Sequence, residues 1–247
     1  MLNKVPEITL FFWVIKIMAT TVGETAADYL ATTLNLGLTG TSLVMSALLL
    51  IVLIIQLRSK KYMPAIYWLV VVLLSVVGTL ISDNLVDNFG VSLITTSLLF
   101  GSALAVVFIG WFISEKSLSV HTIHTTKREL FYWAAILFTF SLGTSAGDLV
   151  AENLGIGYAY SALLFATVIG LVFLAHYYLK MNPILSFWIA YILTRPLGAS
   201  MGDLLSQQVS DGGLGLGTTV TSILFLFIIL CLVIYFSLKE KKSFTTV

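Results

Sequence analysis

The sequence has little charge, one cysteine and few histidines, and each shortage excludes a class of protein. Charged residues make up 10% of the 247 residues and hydrophobic residues 58%, whereas an ordinary soluble domain has about 25% charged residues. The one cysteine, Cys231, leaves no disulfide and no thiolate metal site. The three histidines are too scattered for a zinc site. We therefore predict no enzyme activity, no tightly bound cofactor and no nucleic-acid partner.

Apolar runs of about twenty residues recur along the chain, and each is long enough to cross about 30 Å of hydrocarbon. The mean hydropathy is +1.01. In a bilayer such runs must be helical, because every backbone N–H and C=O needs a partner within the protein. We predict an all-α integral membrane protein whose single transmembrane domain spans residues 1–247. Its eight helices lie at roughly 7–34, 41–58, 64–87, 92–114, 129–153, 158–179, 184–208 and 217–238.

The chain repeats one unit four times. Each copy has the spacing Trp-x9-Gly-x4-Asp, with no change in either interval. The copies are Trp13, Gly23, Asp28; Trp68, Gly78, Asp83; Trp133, Gly143, Asp148; and Trp188, Gly198, Asp203. Each is followed by a second apolar segment that contains a serine, at Ser46, Ser97, Ser161 and Ser222. The sequence therefore predicts four two-helix units, at roughly 7–60, 62–115, 127–180 and 182–238.

Basic residues lie on one side of the predicted helices. Of the thirteen lysines and arginines, eleven are at the termini or in the loops after even-numbered helices. The positive-inside rule then places both termini in the cytoplasm, and the tryptophans at the inner interface as aromatic anchors. We expect the bacterial inner membrane.

The two helices of each unit return the chain to its starting side, so all four units point the same way. We predict a pseudo-fourfold arrangement about the membrane normal, as in transporters built from parallel repeats. The apolar even-numbered helices suit an outer ring that faces lipid, and such a ring is also compatible with a homodimer. The polar odd-numbered helices suit the centre.

Seven of the twelve acidic residues fall inside the predicted helices. There, ionisable groups mark ion paths, proton relays or substrate sites by default. They are the repeat aspartates Asp28, Asp83, Asp148 and Asp203, together with Glu24, Asp87 and Glu152. Residues four apart share a helix face, so each of the last three shares a face with an aspartate. We predict a central acidic cluster. Asp87 and Glu152 are either part of it or residues of the outer rim.

Two basic residues share this environment, Lys16 and Arg195. Arg195 lies eight residues before Asp203, about two helical turns deeper, and Pro196 after it predicts a kink or a break. We interpret Arg195 as an internal counter-ion or gate; the alternative is one structural ion pair. Lys16 either has a similar role or extends to the inner interface. Supporting oxygen ligands come from Thr79, Thr144 and Asn84.

The predicted ligands are all hard oxygen atoms, which favour Mg²⁺, Ca²⁺ or Mn²⁺ over soft metals. Crowded carboxylates at low dielectric also bind protons, so protons can compete with the metal. We predict a secondary transporter that exports a hard divalent cation, with Mn²⁺ the best match, by proton antiport. Its partners are the lipid bilayer and inorganic cations. The alternatives are a passive cation channel, or a packing or signalling protein whose acids only pair with the two bases.

The repeated Gly-x4-Asp helices resemble those of a family of bacterial inner-membrane proteins of unknown activity. The resemblance spans the whole chain and implies no functional residues. Acidic residues in repeated helices are also similar in kind to those of cation/proton exchangers that carry Glu-x-Gly-Asp motifs. The nearest string here, Gly23-Glu24-Thr25-Ala26-Ala27-Asp28, does not match that motif, so this second likeness is an analogy.

Overall fold

The structure, a computed structural model, describes residues 3–245, with side chains described for residues 3–238. That range contains eight α-helices and no β-strand. They are α1 (Leu10–Asp28), α2 (Gly37–Arg58), α3 (Pro64–Asp83), α4 (Leu93–Glu115), α5 (Thr126–Asp148), α6 (Tyr158–Tyr178), α7 (Pro183–Ser206) and α8 (Thr218–Thr245). The side chains of three lysines used in the orientation argument lie outside the described residues: Lys239, Lys241 and Lys242.

Every predicted helix is present, and each is long and apolar enough to cross a membrane. The eight candidate spans contain 21 to 28 residues, which is consistent with a multi-pass membrane protein. The largest boundary difference is at the end of α8, which is predicted at 238 and lies at Thr245; α2 begins four residues earlier than predicted, at Gly37, and α1 three residues later, at Leu10. Thr9 has an extended backbone and so ends the segment that precedes α1.

The odd-numbered helices form a closed inner ring, and the even-numbered helices lie outside it. Around the ring, α1 packs on α3, α3 on α5, α5 on α7, and α7 on α1. Each outer helix packs mainly on the first helix of the next unit around the ring, the fourth unit being followed by the first: α2 on α3, α4 on α5, α6 on α7, and α8 on α1. The inner spans are 56–72% buried and the outer spans 17–22%. This is the arrangement predicted from their polarity.

The four repeat glycines lie where neighbouring inner helices approach most closely. A Cβ on any of them would collide with the next helix: Gly23 with Ser75, Gly78 with Phe140, Gly143 with Arg195, and Gly198 with Thr20. In every case the residue met is three positions before the glycine of that next helix. Only glycine allows this approach, because a larger residue would need the backbones to separate. The same contact therefore recurs at all four junctions of the ring.

Replacing Gly78 with alanine should loosen one of these junctions. The added Cβ would lie 2.8 Å from Cβ of Phe140 and 3.1 Å from the backbone nitrogen of Ser141. Overpacking against backbone costs about 1–3 kcal/mol, so we expect a lower thermal unfolding midpoint for the detergent-purified protein. Gly170→Ala, on α6, is the control, since nothing lies within 4 Å of its Cβ position. Equal midpoints for the two variants would contradict the close-approach argument.

Hydroxyl pairs fasten three outer helices to the ring. These pairs join Thr25 to Ser222 (2.7 Å), Ser145 to Ser97 (3.1 Å) and Ser200 to Ser161 (2.9 Å). For the first unit the sequence predicts Ser46, and this position is wrong by one helical turn. The serine at the corresponding place near the start of α2 is Ser42. Ser42 accepts a hydrogen bond from Nδ2 of Asn84 at 2.8 Å. Ser42 pairs with an amide and not with a hydroxyl, because the second unit has Leu80 where the other units have a threonine or a serine.

Three of the four repeat tryptophans pack inside the protein, so for these three the predicted role as interface anchors is wrong. Trp68, Trp133 and Trp188 are at most 4% exposed, and Trp13 is half-buried. The loop between α4 and α5 covers this end of the bundle: the indole N–H of Trp188 donates to the carbonyl of Leu118 at 3.0 Å. An indole covered by protein and satisfied by a backbone oxygen needs no interfacial water.

Candidate functional site

A row of buried residues runs along each inner helix from its repeat aspartate. Counting back in steps of four from each aspartate gives four further levels, because residues four apart are neighbours on the surface of an α-helix; the row winds slowly around the helix, since each step turns about 40° past a full turn. From the tryptophan end, the levels are Phe12, Tyr67, Tyr132 and Phe187; then Lys16, Val71, Ile136 and Tyr191; then Thr20, Ser75, Phe140 and Arg195; then Glu24, Thr79, Thr144 and Ala199. All sixteen residues are buried.

Exposure increases beyond these levels, towards the aspartate end of the bundle. Asp203 is 6% exposed, while Asp28, Asp83 and Asp148 are half-buried. One further step of four reaches Asp87 and Glu152, which are exposed. The centre of the ring is therefore accessible from the aspartate end.

Arg195 crosses the centre of the ring and binds all three of the other inner helices. Its Nη2 lies 2.9 Å from Oε2 of Glu24 on α1 and 2.7 Å from the hydroxyl of Thr144 on α5, and it donates to the hydroxyl of Thr79 on α3. Nη1 donates to the backbone oxygen of Thr20 at 3.2 Å. Arg195 is fully buried, so the guanidinium separates the acidic end of the ring from the aromatic end.

Three carboxylates converge on the side of Arg195 that faces the aspartate end of the bundle. One oxygen each from Glu24, Asp148 and Asp203 lies within 4.8 Å of the others. These residues come from α1, α5 and α7. Among the described residues, neither aspartate side chain forms a hydrogen bond or an ion pair, whereas Glu24 is bound by Arg195. Carboxylate oxygens at this separation can ligate one hard cation.

The other predicted acids lie around this group. Asp28 and Asp83 do not belong to the set of carboxylates whose oxygens lie within 4.8 Å of one another, but both interact electrostatically with Glu24. Asp87 and Glu152 are exposed, and Glu152 accepts a hydrogen bond from the hydroxyl of Tyr158 at 2.9 Å. A π-helical turn follows the aspartate in three units and moves later side chains off the α-helical face. These turns are Tyr29–Thr33, Asn84–Asn88 and Leu149–Asn153.

The structure gives the three predicted supporting residues other partners. Thr79 and Thr144 accept hydrogen bonds from Arg195, so their oxygens bind the guanidinium. The side chain of Asn84 donates to Ser42 and to the carbonyl of Leu80, and its Oδ1 accepts from Asn88 at 2.7 Å. An amide satisfied in this way packs α3 against α2.

Lys16 and Arg195 lie at neighbouring levels of the ring. Lys16 Nζ lies 2.9 Å from the carbonyl oxygen of Tyr191 and also donates to the hydroxyl of Thr194. Within residues 3–238 it forms no ion pair with a carboxylate. Of the kink or break predicted at Pro196, the break is absent, because α7 runs through Pro196 to Ser206. Bonds from α1 hold this turn: Thr20 donates to the carbonyl of Thr194 at 3.2 Å.

Aromatic rings close the other end of the ring. The hydroxyls of Tyr67 and Tyr132 are 2.5 Å apart. The ring of Phe12 lies 6.1 Å from that of Phe187, and Phe187 lies 5.4 Å from Tyr191. Sequence reasoning missed this layer and the Phe140 level. Glu24 and Asp28 are four residues apart. Counting on in steps of four towards the tryptophan in each unit would have identified the aromatic layer and the Phe140 level.

Eight long apolar helices, four of them around a buried acidic and basic centre, form an all-helical bundle that is consistent with a multi-pass membrane protein. The chain belongs to the family described as "Repeat of Unknown Function (DUF347)". That repeat matches four times, at residues 11–62, 66–117, 131–182 and 186–242. The four matches correspond to the four two-helix units. No curated protein and no solved structure matches the chain.

Proposed function

We propose that this chain is a secondary transporter that exports a hard divalent cation, with Mn²⁺ the best match, in exchange for protons. The observation that carries the proposal is the convergence of Glu24, Asp148 and Asp203 on one point beside Arg195. In this proposal the eight helices cross the bacterial inner membrane, both termini are cytoplasmic, and the aspartate end faces outward. The recurring glycine contact supports a pseudo-fourfold axis along the membrane normal.

The charge of the group supports a divalent ion. The three carboxylates and the neighbouring guanidinium of Arg195 together carry a net charge of two negative units, which a divalent cation balances. The ligands are hard oxygen atoms, which excludes soft metals as preferred cargo. Mg²⁺ loses its water reluctantly, and Ca²⁺ takes 6–8 oxygen ligands. Three carboxylates in a largely buried site therefore suit Mn²⁺ best of the three.

The closed aromatic end supports transport by alternating access over a passive channel. A channel needs a continuous hydrated path, whereas Arg195 and the rings of Phe12, Tyr67, Tyr132 and Phe187 fill the centre of the ring in this structure. The exposure gradient supports assigning this conformation to an outward-open state. An inward-open state would require these rings to separate and Arg195 to release Glu24. In the outward-open state, protons reaching the carboxylates from outside would displace the cation.

A packing or signalling protein remains the alternative of a different class. It would require the acids to be neutralised by pairing. Within the described residues Arg195 pairs with Glu24, while the repeat aspartates have no ion pair. Unpaired carboxylates in a buried setting are costly, and a bound cation would balance their charge.

Flux measurements in proteoliposomes test the proposal. Purified protein would be reconstituted with a pH-sensitive dye inside, and Mn²⁺, Mg²⁺, Ca²⁺ and Zn²⁺ offered in turn. We expect Mn²⁺ movement accompanied by an opposite movement of protons, with Zn²⁺ the poorest substrate. Cation flux with no pH change would favour the channel. Absence of flux for every cation would contradict the transporter.

A further inference from the structure

Lys16 is a buried amine without a counter-ion. It is fully buried one level below Arg195, and its Nζ lies 4.0 Å from the centre of the Tyr191 ring and 5.1 Å from that of Phe140. No carboxylate of residues 3–238 lies within 4.0 Å of it. Buried lysines are ordinarily paired. The structure therefore contains a buried base that the cation site itself does not use.

The hydrogen bonds around Lys16 fit both of its charge states. Thr194 donates its own hydroxyl proton to the carbonyl of Tyr191 at 2.8 Å, so its oxygen is free to accept from Lys16. The carbonyl of Tyr191 accepts a second bond. A neutral amine has two N–H groups, and both find these acceptors. The third N–H of the ammonium form faces the Tyr191 ring, whose π-face attracts a cation.

The groups around Lys16 do not favour a permanently charged amine. From α7 it faces Tyr191 and Arg195, and Arg195 has the same charge sign. From α5 it meets the uncharged ring of Phe140. The titratable group of α3 at the tryptophan end, Tyr67, is already bonded to Tyr132 of α5. On α8, Cys231 and Tyr235 are exposed. On α1 itself the nearest acid is Glu24, eight residues away and about 12 Å along the axis.

We propose that Lys16 is a further proton-exchange site, besides the carboxylates, that couples proton movement to cation binding. This rests on the proposed function. A cation bound at Glu24, Asp148 and Asp203 requires Arg195 to leave Glu24, and the displaced guanidinium moves towards Lys16. Like charges at low dielectric repel strongly, so in the inward-open state, where the aromatic rings have separated, the ammonium releases one proton to cytoplasmic water and becomes an amine. Reprotonation of Lys16 reverses the sequence: it drives Arg195 back to Glu24 and expels the cation.

The turn of α7 that carries Arg195 suits this exchange. Pro196 has no N–H, so the helix lacks the hydrogen bond that Ile192 would otherwise accept. Lys16 binds the carbonyl of Tyr191, the residue next to that unsupported carbonyl. A change in the charge of Lys16 therefore acts on the backbone turn that precedes Arg195, as well as on its guanidinium.

The test measures proton release when Mn²⁺ binds to the purified full-length protein in weakly buffered detergent solution. Lys16→Met removes the titrating group at similar length, Lys16→Gln removes it while keeping a donor for the Tyr191 carbonyl, and Lys180→Met is the control at an exposed lysine. We expect both Lys16 variants to release about one proton fewer per Mn²⁺ than wild type, because the linked group is missing. Lys180→Met should match wild type.

The outcomes separate the two proposals. If Lys16→Met and Lys16→Gln bind Mn²⁺ and release as many protons as wild type, the coupling role is wrong and the proposed transport function stands. If wild type itself binds no Mn²⁺, the proposed function fails and the coupling role fails with it. A size-exclusion profile for each variant identifies misfolding. Lys16→Gln preserves the test if Lys16→Met does not fold.

Discussion

Replacing Asp203 with asparagine is expected to abolish divalent-cation transport while leaving the folded protein intact. Asp203 is 6% exposed, and one of its oxygens lies within 4.8 Å of oxygens from Glu24 and Asp148. Asparagine has nearly the same shape, so the packing of α7 is retained and the charge alone is lost. Mutating a residue that only supports a ligand costs about 10–100-fold in metal affinity. Losing a ligand should cost at least about 100-fold.

Two measurements would register this loss. In cells that lack their own Mn²⁺ exporter, wild type should restore growth on Mn²⁺, and Asp203→Asn and Asp148→Asn should not. In proteoliposomes the same variants should show no Mn²⁺ flux. Asp211→Asn is the matched control, because it makes the same change at an exposed acid just after α7. Protection by Asp203→Asn and Asp148→Asn equal to that of wild type would rule out the carboxylate group as the transport site.

Substituting Arg195 is expected to abolish coupled exchange. Its Nη2 contacts Glu24, Thr79 and Thr144 on three different helices, while its Nη1 donates to the carbonyl of Thr20, and only arginine presents two such nitrogens in one plane. Arg195→Ala leaves Glu24 buried without a partner, and breaking a buried pair costs about 3–5 kcal/mol. Arg195→Lys keeps the charge but cannot reach three helices at once. Both variants should either leak Mn²⁺ without proton counterflow or be inactive.

A double variant separates coupling from stability. Arg195→Met with Glu24→Gln removes both charges of the pair, so Glu24 is not left as a buried carboxylate without its partner and the protein should be more stable than Arg195→Ala. It should still show no proton-coupled exchange, because a cation ligand and the residue that alternates between the two levels are both missing. Normal exchange in liposomes by any of these Arg195 variants would remove its proposed role.

Much of the architecture could be predicted because it depends on spacing. Helix length follows from the apolar runs, and the repeat follows from four identical intervals between tryptophan, glycine and aspartate. The division into inner and outer helices follows from polarity, because buried polar groups need partners that lipid cannot offer. Arg195 could be placed near the aspartates because eight residues amount to about two helical turns.

The composition of the site could not be predicted in the same way. Four equivalent aspartates suggest a symmetric ring, yet the oxygens that meet belong to Asp148, Asp203 and Glu24. Glu24 takes part because Arg195 holds it, and that contact depends on how α1 packs against α7. Asn84 looked like a ligand but serves the α2–α3 contact, since Leu80 leaves that junction without a hydroxyl. Differences among the four units therefore shape the site as much as their likeness does.

The central claim, that three converging side chains bind one cation, is tested most directly by Mn²⁺ binding to the purified protein. Electron paramagnetic resonance distinguishes free from bound Mn²⁺ and gives the number bound. We predict one Mn²⁺ per wild-type chain, and loss of that binding in Asp148→Asn, Asp203→Asn and Glu24→Gln, with Asp211→Asn unchanged. If wild type binds no Mn²⁺, or if the three variants bind it as tightly as wild type, these carboxylates do not form a cation site.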